Sequence, residues 1–405
     1  MFFFIPYGTD RPARVAPVVT FALIGINIIV FVWQSSSPLP EVVLARYAFI
    51  PSHLNSVSWF TYMFMHGSLG HLAGNMLFLW LFGSALECAL GWWIFLPTYL
   101  LSGCVAMMLH YLIVTATDPA GANTYLVGAS GAIAGLLGMY ALRFHQTKIR
   151  VWYFVLLLLF IRWGKFEIGS VWFIAIWVAQ QIFGASATLF FPELDSTVAY
   201  WTHLGGFGLG MLYGLLVNLY GEGKSEYVLA DAAEAFARQD FQQALRLAGE
   251  VARREPTNAE ARLLHLRSAM RIRPAAEFIS EFESLLKEAL RCRNHALVED
   301  LYTELGELHP NASLDPRLLL ATATVFAEMG KYEKAAQIHR RLMQDAPRVP
   351  EAEVSMLRYA QLCLEHLGRR EEAAAVLRRF QVIYPHSQWK DFAERLVMQT
   401  RYPAA

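Results

Sequence analysis

The sequence predicts an all-α protein in two parts: a six-helix transmembrane bundle followed by a soluble α-solenoid of helix hairpins. Three observations carry this prediction. Residues 1–224 hold only 9 Lys/Arg and 8 Asp/Glu of the 34 of each kind in the 405-residue chain, leaving 25 and 26 for residues 225–405. The charge-poor part contains six long apolar stretches, and the charge-rich part contains amphipathic helical motifs that echo one another. The boundaries expected are 1–15 for a cytoplasmic N-terminal segment, 16–222 for the membrane domain and 223–405 for the soluble domain. A hydrophobic content of 55% and a mean hydropathy of +0.33 average over these unlike halves. The zero net charge gives no reason to expect nucleic acid as a partner.

The opening "MFFFIPYGTDRPARVAP" lacks the layout of a signal peptide, because its apolar start breaks at Pro6 and Gly8. It reads as a retained segment before the first span. A span needs about 20 mostly apolar residues to cross about 30 Å of hydrocarbon. Six candidates meet this, at about 16–34, 71–90, 93–115, 127–144, 168–190 and 202–220. A further run, "VWYFVLLLLF" at 151–160, is short and flanked by Arg150 and Arg162, which predicts an interfacial or re-entrant segment. The alternative is a seventh span, which would put the last domain on the other side.

Charge distribution favours six spans. Arg11 and Arg14 precede the first, Arg143, Lys148, Arg150, Arg162 and Lys165 lie between the fourth and fifth, and Lys224 follows the sixth. The opposite side carries Arg46 with Glu41, Asp118, Glu193 and Asp195. By the positive-inside rule both termini are cytoplasmic. The expected location is a bilayer, as a multi-pass protein of a bacterial inner membrane.

Polar side chains inside spans are costly and face the protein interior. "MHGSLGHLAGN" places His66 in a lead-in and His71 and Asn75 four residues apart on one helix face; "LVGASGAIAGLLGMY" carries Ser130; "AYWTHLGGFGLG" carries His203. With six spans, the second, fourth and sixth all run inward from the extracytoplasmic side, so the three clusters share a depth. A serine hydroxyl needs an adjacent base, and the His203 imidazole suits that task. The oxyanion that follows needs donors, which His71, Asn75 and the Ser130 N–H can supply. Gly128, Gly131, Gly135 and Gly138 in the fourth span, with Gly206 and Gly210 in the sixth, let two backbones approach. Taken alone, "GASG" is also a packing seam, and His71 with Asn75 could simply bridge helices; the conjunction favours chemistry.

Other chemistries are weaker. There is no H-E-x-x-H, the four cysteines (Cys88, Cys104, Cys292, Cys363) lack metal or redox spacing, and no strand precedes "GASGAIAG" as a dinucleotide loop requires. No metal and no cofactor are expected. Asp10, Asp118 and Asp195 all fall in predicted loops, against a paired-aspartate protease.

Over about residues 5–220 the chain resembles the rhomboid intramembrane serine proteases. "HGSLGHLAGN" is similar to that family's second-span signature, "VGASGAIAG" to its Gly-x-Ser-Gly motif, "HLGGFGLG" to its sixth-span His, and Glu87 with Gly91 in "LFGSALECALG" to its Glu-x-x-x-Gly. The resemblance implies Ser130 as nucleophile and His203 as general base without a third carboxylate, with His71 and Asn75 lining the oxyanion hole. His66 resembles the family's additional histidine near a water-access cavity, in either an auxiliary or a structural role. Glu87 is implied to be a structural hydrogen-bonding residue. Two departures stand out: Val57 and Ser58 stand where some members of the family carry a Trp-Arg pair in the first loop, and Ala134 stands where some carry a Tyr that stacks on the base. Something else must therefore orient His203. The implied activity is cleavage of single-span membrane proteins in or near their transmembrane segment.

In the polar half the Gly330 and Gly368 turns are 38 residues apart, as are Pro347 and Pro385. This resembles tetratricopeptide-type helix hairpins, which bury a seam only by stacking. Residues 271–310 fit the repeat poorly, with "NHALVEDLYTELGELHP" as a degenerate unit. Such a solenoid suits a protein or peptide ligand, or oligomerisation. The function expected is an active intramembrane protease; the alternatives are a catalytically silent relative that holds membrane clients, and a His-lined transporter.

Overall fold

The computed structural model describes residues 2–10, 16–117, 121–157, 160–190 and 199–401. Arg11, Arg14, Asp118, Glu193 and Asp195, which entered the charge argument, lie outside the described residues. The chain divides into two compact units, Met1–Tyr227 and Val228–Ala405. The boundary expected between residues 222 and 223 lies inside a helix, Leu219–Ala237, that runs across that division.

The first unit opens with β1 (Phe2–Thr9), α1 (Val18–Ser36), α2 (Pro40–Tyr47), the single turn α3 (Ser58–Thr61) and a 3-10 turn at Tyr62–Phe64. Next comes one rod built of α4 (Leu69–Phe78), a π turn at Leu79–Gly83 and α5 (Ser84–Leu90). It continues through α6 (Trp92–Thr117), α7 (Ser130–Arg143), β2 (Lys148–Leu157), β3 (Phe160–Gly169), α8 (Ser170–Phe190), α9 (Tyr200–Leu216) and α10 (Leu219–Ala237). Each of the six predicted spans falls on one of these helices, but length separates them. The helices α1, α4–α5, α6 and α8 are each long and apolar enough to cross a membrane; α9 reaches that only together with α10, across a 65° bend. With 14 residues, α7 is about 21 Å long, short of the hydrocarbon thickness. The predicted span 127–144 is shorter because its first residues are extended chain leading to Gly128, whose φ is +118°.

Local chemistry fixes the ends. Ser68 caps α4 by accepting the His71 N–H at 3.1 Å. Gly91, with φ +76°, ends α5. The Glu87 carboxylate turns away from that end to cap α1: it accepts the N–H groups of Val19 and Thr20 at 2.8 and 2.7 Å and the Thr20 hydroxyl at 2.7 Å. The core between the helices is aromatic and aliphatic, with Phe82, Phe95, Tyr99, Leu136 and Tyr140 all fully buried.

The helical expectation misses one feature, a three-stranded antiparallel sheet in the order β1-β2-β3. Most of the run 151–160, expected as interfacial or re-entrant with a seventh span as the alternative, is strand, and no helical span forms there among the described residues. Its partners explain the outcome. "KIRVWYFVLL" and "FIRWGKFEIG" are rich in aromatic and β-branched residues, and the N-terminal "FFFIPYGT" supplies the outer strand, bulged between Pro6 and Gly8. Ile149 and Val151 point into the helical core, while Ile161 and Trp163 stay exposed.

The second unit is helical throughout its described residues: the end of α10, then α11 (Phe241–Arg254), α12 (Ala259–Ile272), α13 (Ala275–Arg291), α14 (His295–Leu308), α15 (Pro316–Glu328), α16 (Tyr332–Asp345), α17 (Pro350–Glu365), α18 (Arg370–Ile383) and α19 (Lys390–Arg401). Two hairpins share one turn, and a third has a turn one residue longer. Arg293 and Gly330 follow α13 and α15 with φ of 53° and 73°, and the next residue closes the helix end with an N–H to C=O bond five residues back, Asn294 to Ala289 and Lys331 to Phe326. After α17 the left-handed residue is Gly368, φ 67°, one position later, and the Arg369 N–H reaches six residues back to Cys363. The stretch 271–310 is therefore a hairpin of the same build, and α14, α16 and α18 are all 14 residues long.

Candidate active site

An extended strand of chain delivers Ser130. Leu126 pairs with Phe49 in an antiparallel bridge, and the Gly128 N–H donates to the Tyr62 carbonyl at 2.9 Å. The backbone then turns at Gly128, and α7 begins at Ser130 itself. A side chain at Gly128 would be strained by the positive φ, and its Cβ would lie 2.8 Å from His71 Nε2 and 3.4 Å from Asn75 Nδ2. Only glycine lets those two side chains of α4 crowd the chain just before the serine. Starting a helix at Ser130 also leaves the first-turn N–H groups without intrahelical acceptors, so they can serve a ligand.

His203 sits in the first turn of α9, and its Nε2 lies 2.8 Å from Ser130 Oγ. Small residues permit the approach. A Cβ at Gly206 would overlap the Gly131 carbonyl oxygen, and one at Gly210 would overlap that of Gly135. The other sides of Gly131 and Gly135 face α6, where a Cβ would meet Ala106 and Ser102.

Ser130, His203, His71 and Asn75 line one cavity of about 710 Å³. Asn75 is buried, and its Nδ2 has no acceptor among the described residues. His66 does not line the cavity: it is fully buried behind His71, its ring edge-on at 5.2 Å between centroids. Its backbone carbonyl accepts the Gln34 amide at 2.8 Å, which ties the lead-in to α1. The first loop, which lacks the Trp-Arg pair, is held through backbone groups instead. Ser58 donates to the Asn55 carbonyl and Thr61 to the Tyr47 carbonyl, each at 2.7 Å.

Sequence reasoning left open what orients His203, since Ala134 is a small buried residue. In the structure the neighbouring helix α8 supplies two side chains. Gln181 Oε1 lies 2.8 Å from His203 Nδ1, and the Trp177 ring stands 5.9 Å from the imidazole, tilted by 37°. Gln181 was not among the residues singled out from sequence. The signal was available, because Gln180 and Gln181 are uncharged polar residues inside an apolar span.

An amide oxygen only accepts; with its proton on Nδ1, His203 donates to Gln181 and turns the Nε2 lone pair toward the serine hydroxyl. That arrangement can accept the Oγ proton as the oxygen attacks a carbonyl. Opposite it, an oxyanion would find the Asn75 amide, the His71 imidazole and the first N–H groups of α7.

Residues 54–219 match the model of the rhomboid domain, and residues 354–387 that of a tetratricopeptide repeat. The chain is 29% identical over 204 residues to "Rhomboid protein 1, mitochondrial" of Saccharomyces cerevisiae, covering 49% of this chain and 53% of that one. It is 29% identical over 162 residues to "Rhomboid-type serine protease 2" of Emericella nidulans, covering 39% of this chain and 27% of that one. The chain thus spans about half or less of the length of these relatives. A solved thermophilic TPR protein of Thermus thermophilus aligns over 43% of this chain and 99% of its own length, with 14% identity and a TM-score of 0.23.

Proposed function

Because residues 54–219 of this chain are a rhomboid domain, we propose that it is an intramembrane serine endopeptidase that cleaves single-span membrane proteins in or near their transmembrane segment. The observation that carries this reading is the 2.8 Å contact between His203 Nε2 and Ser130 Oγ. In the proposed reaction Ser130 Oγ bonds to the scissile carbonyl carbon while its proton passes to His203 Nε2. His71, Asn75 and the Ser130 N–H hold the oxyanion. The imidazolium then protonates the leaving amine as the C–N bond breaks, and a water deprotonated by the same imidazole hydrolyses the acyl ester.

Supporting the membrane setting are the long apolar helices. The six-span topology, with both termini cytoplasmic and the site near the extracytoplasmic side, rests on the charge pattern and on counting the short α7 as a span whose outer end is extended chain. A helix that begins below the membrane surface leaves room for water to reach Ser130. The name of the yeast relative is mitochondrial, so a bacterial inner membrane draws no support from it. A transmembrane substrate must expose its backbone to react, so segments with helix-weakening residues are the favoured clients. For the repeat unit we propose a protein or peptide ligand, or self-association.

The test is labelling of the full chain in lipid by a fluorophosphonate probe. Labelling that disappears in Ser130→Ala and His203→Ala supports the protease. A folded, unlabelled protein that still captures clients supports the silent, client-binding alternative.

A further inference from the structure

Building on the dyad proposed above, we propose that Gln181 is a positioning residue that fixes His203 in the tautomer and orientation able to take the Ser130 proton. The geometry is a three-member relay across three helices. Gln181 Oε1 of α8 meets His203 Nδ1 of α9 at 2.8 Å, and His203 Nε2 meets Ser130 Oγ of α7 at 2.8 Å. A neutral imidazole carries one proton and is free to place it on either nitrogen. With the proton on Nε2 it could not act as a base toward the serine. A fixed acceptor at Nδ1 removes that state and stops rotation of the ring.

Gln181 is itself buried, with 4% of its surface exposed, so its contact with Nδ1 is shielded from competing water. Trp177, one helical turn earlier on α8, stands beside the same imidazole. One face of α8 therefore does what Ala134 on α7 cannot. The choice of glutamine follows from the setting: an acceptor without charge avoids burying a carboxylate at membrane depth. The other titratable groups acting on His203 are His71 from α4 and His110 from α6.

The experiment measures fluorophosphonate inactivation of the full chain in lipid, resolved into the maximal rate and the half-saturating probe concentration across pH. Gln181→Leu should lower the maximal rate roughly tenfold or more with the half-saturating concentration unchanged, a typical scale for losing control of a general base. Gln181→Glu should restore most of the rate and move the acid limb of the profile to higher pH, because a carboxylate at Nδ1 favours the imidazolium. Independently of activity, ¹⁵N spectra of histidine-labelled Ser130→Ala protein should show His203 protonated at Nδ1, and a mixture of tautomers once Gln181→Leu is added. Ser130-dependent labelling that ignores both Gln181 variants, or a tautomer that survives Gln181→Leu, overturns the proposal and leaves the dyad standing. Labelling insensitive to Ser130→Ala removes the dyad, and this proposal with it.

Discussion

Thr20 gives both its N–H and its hydroxyl to the Glu87 carboxylate, each at 2.7 Å, so a residue near the end of one membrane helix caps the start of another. With Val19 adding a third bond at 2.8 Å, the carboxylate is buried but fully engaged. Glu87→Ala leaves two N–H groups of the α1 first turn without an acceptor and should cost about 2–4 kcal/mol. Glu87→Gln keeps one acceptor oxygen and should lose less. Thermal unfolding in detergent reads both, and an alanine variant as stable as the parent would refute the cap.

Gly206→Ala and Gly210→Ala place a Cβ against the carbonyls of Gly131 and Gly135, backbone that cannot move aside cheaply. The helices α7 and α9 must separate, which lengthens the contact between His203 and Ser130. Each variant should lose about 1–3 kcal/mol of stability and most of its probe labelling. Gly208 has open space around it, so Gly208→Ala is the control and should label like the parent.

For the proposed oxyanion donors the expectation is a split between rate and binding. His71→Ala or Asn75→Ala should each lower kcat by about 10²–10³ with KM little changed, because the bond forms only as charge develops. Cleavage of a reconstituted single-span substrate measures it. A loss confined to KM would mean that these residues bind substrate and do not stabilise the oxyanion.

In the repeat unit, burial pushes the His339 imidazole down to about 4 from 6.5, with Arg358 opposing its charge as well. Its hydrogen bond to Ser355, at 3.1 Å, is made within the packed seam between α16 and α17. The folded state therefore binds this proton less readily than the unfolded chain. Stability is complete above pH 6.5 and falls as pH drops toward 4, by on the order of 3 kcal/mol. Urea titrations of the full chain at pH 7 and pH 5, followed by proteolysis of the repeat unit, should show the midpoint falling, and His339→Gln should flatten the difference.

A last expectation concerns one backbone angle. Arg293 sits at φ 53°, where Gly330 occupies the equivalent turn. Arg293→Gly should stabilise the repeat unit by about 0.5–1 kcal/mol, and Gly330→Ala should destabilise it by about 1 kcal/mol or more. The same urea titration measures the pair. Equal and opposite failure of both would mean the turns are not equivalent.

Arg293 also explains where sequence reading stopped. The repeat was legible at Gly330 and Gly368 because glycine advertises a left-handed turn, and it was hidden at 293 because an arginine in that conformation leaves no trace. The sheet was hidden for a different reason. Each strand alone reads as a short apolar run, and Phe2–Thr9 meets Lys148–Leu157 only through a pairing that spans most of the unit. Gln181 escaped notice because a glutamine within a span becomes meaningful only when another helix brings it to an imidazole.

The sequence by itself determined what is periodic or chemically conspicuous: an apolar half and a polar half, the positions of the helices, the glycines of the α7–α9 seam, and a serine, two histidines and an asparagine out of place in an apolar setting. Tertiary structure decided what depends on distance between elements remote in sequence. It gave the 2.8 Å from His203 to Ser130, the acceptor at Gln181, the reach of Glu87 to α1 and the pairing of β1 with β2. Hydrophobic periodicity is a property of neighbours along the chain and survives in one dimension. A hydrogen bond between helices depends on close packing in three dimensions, and no local pattern records it.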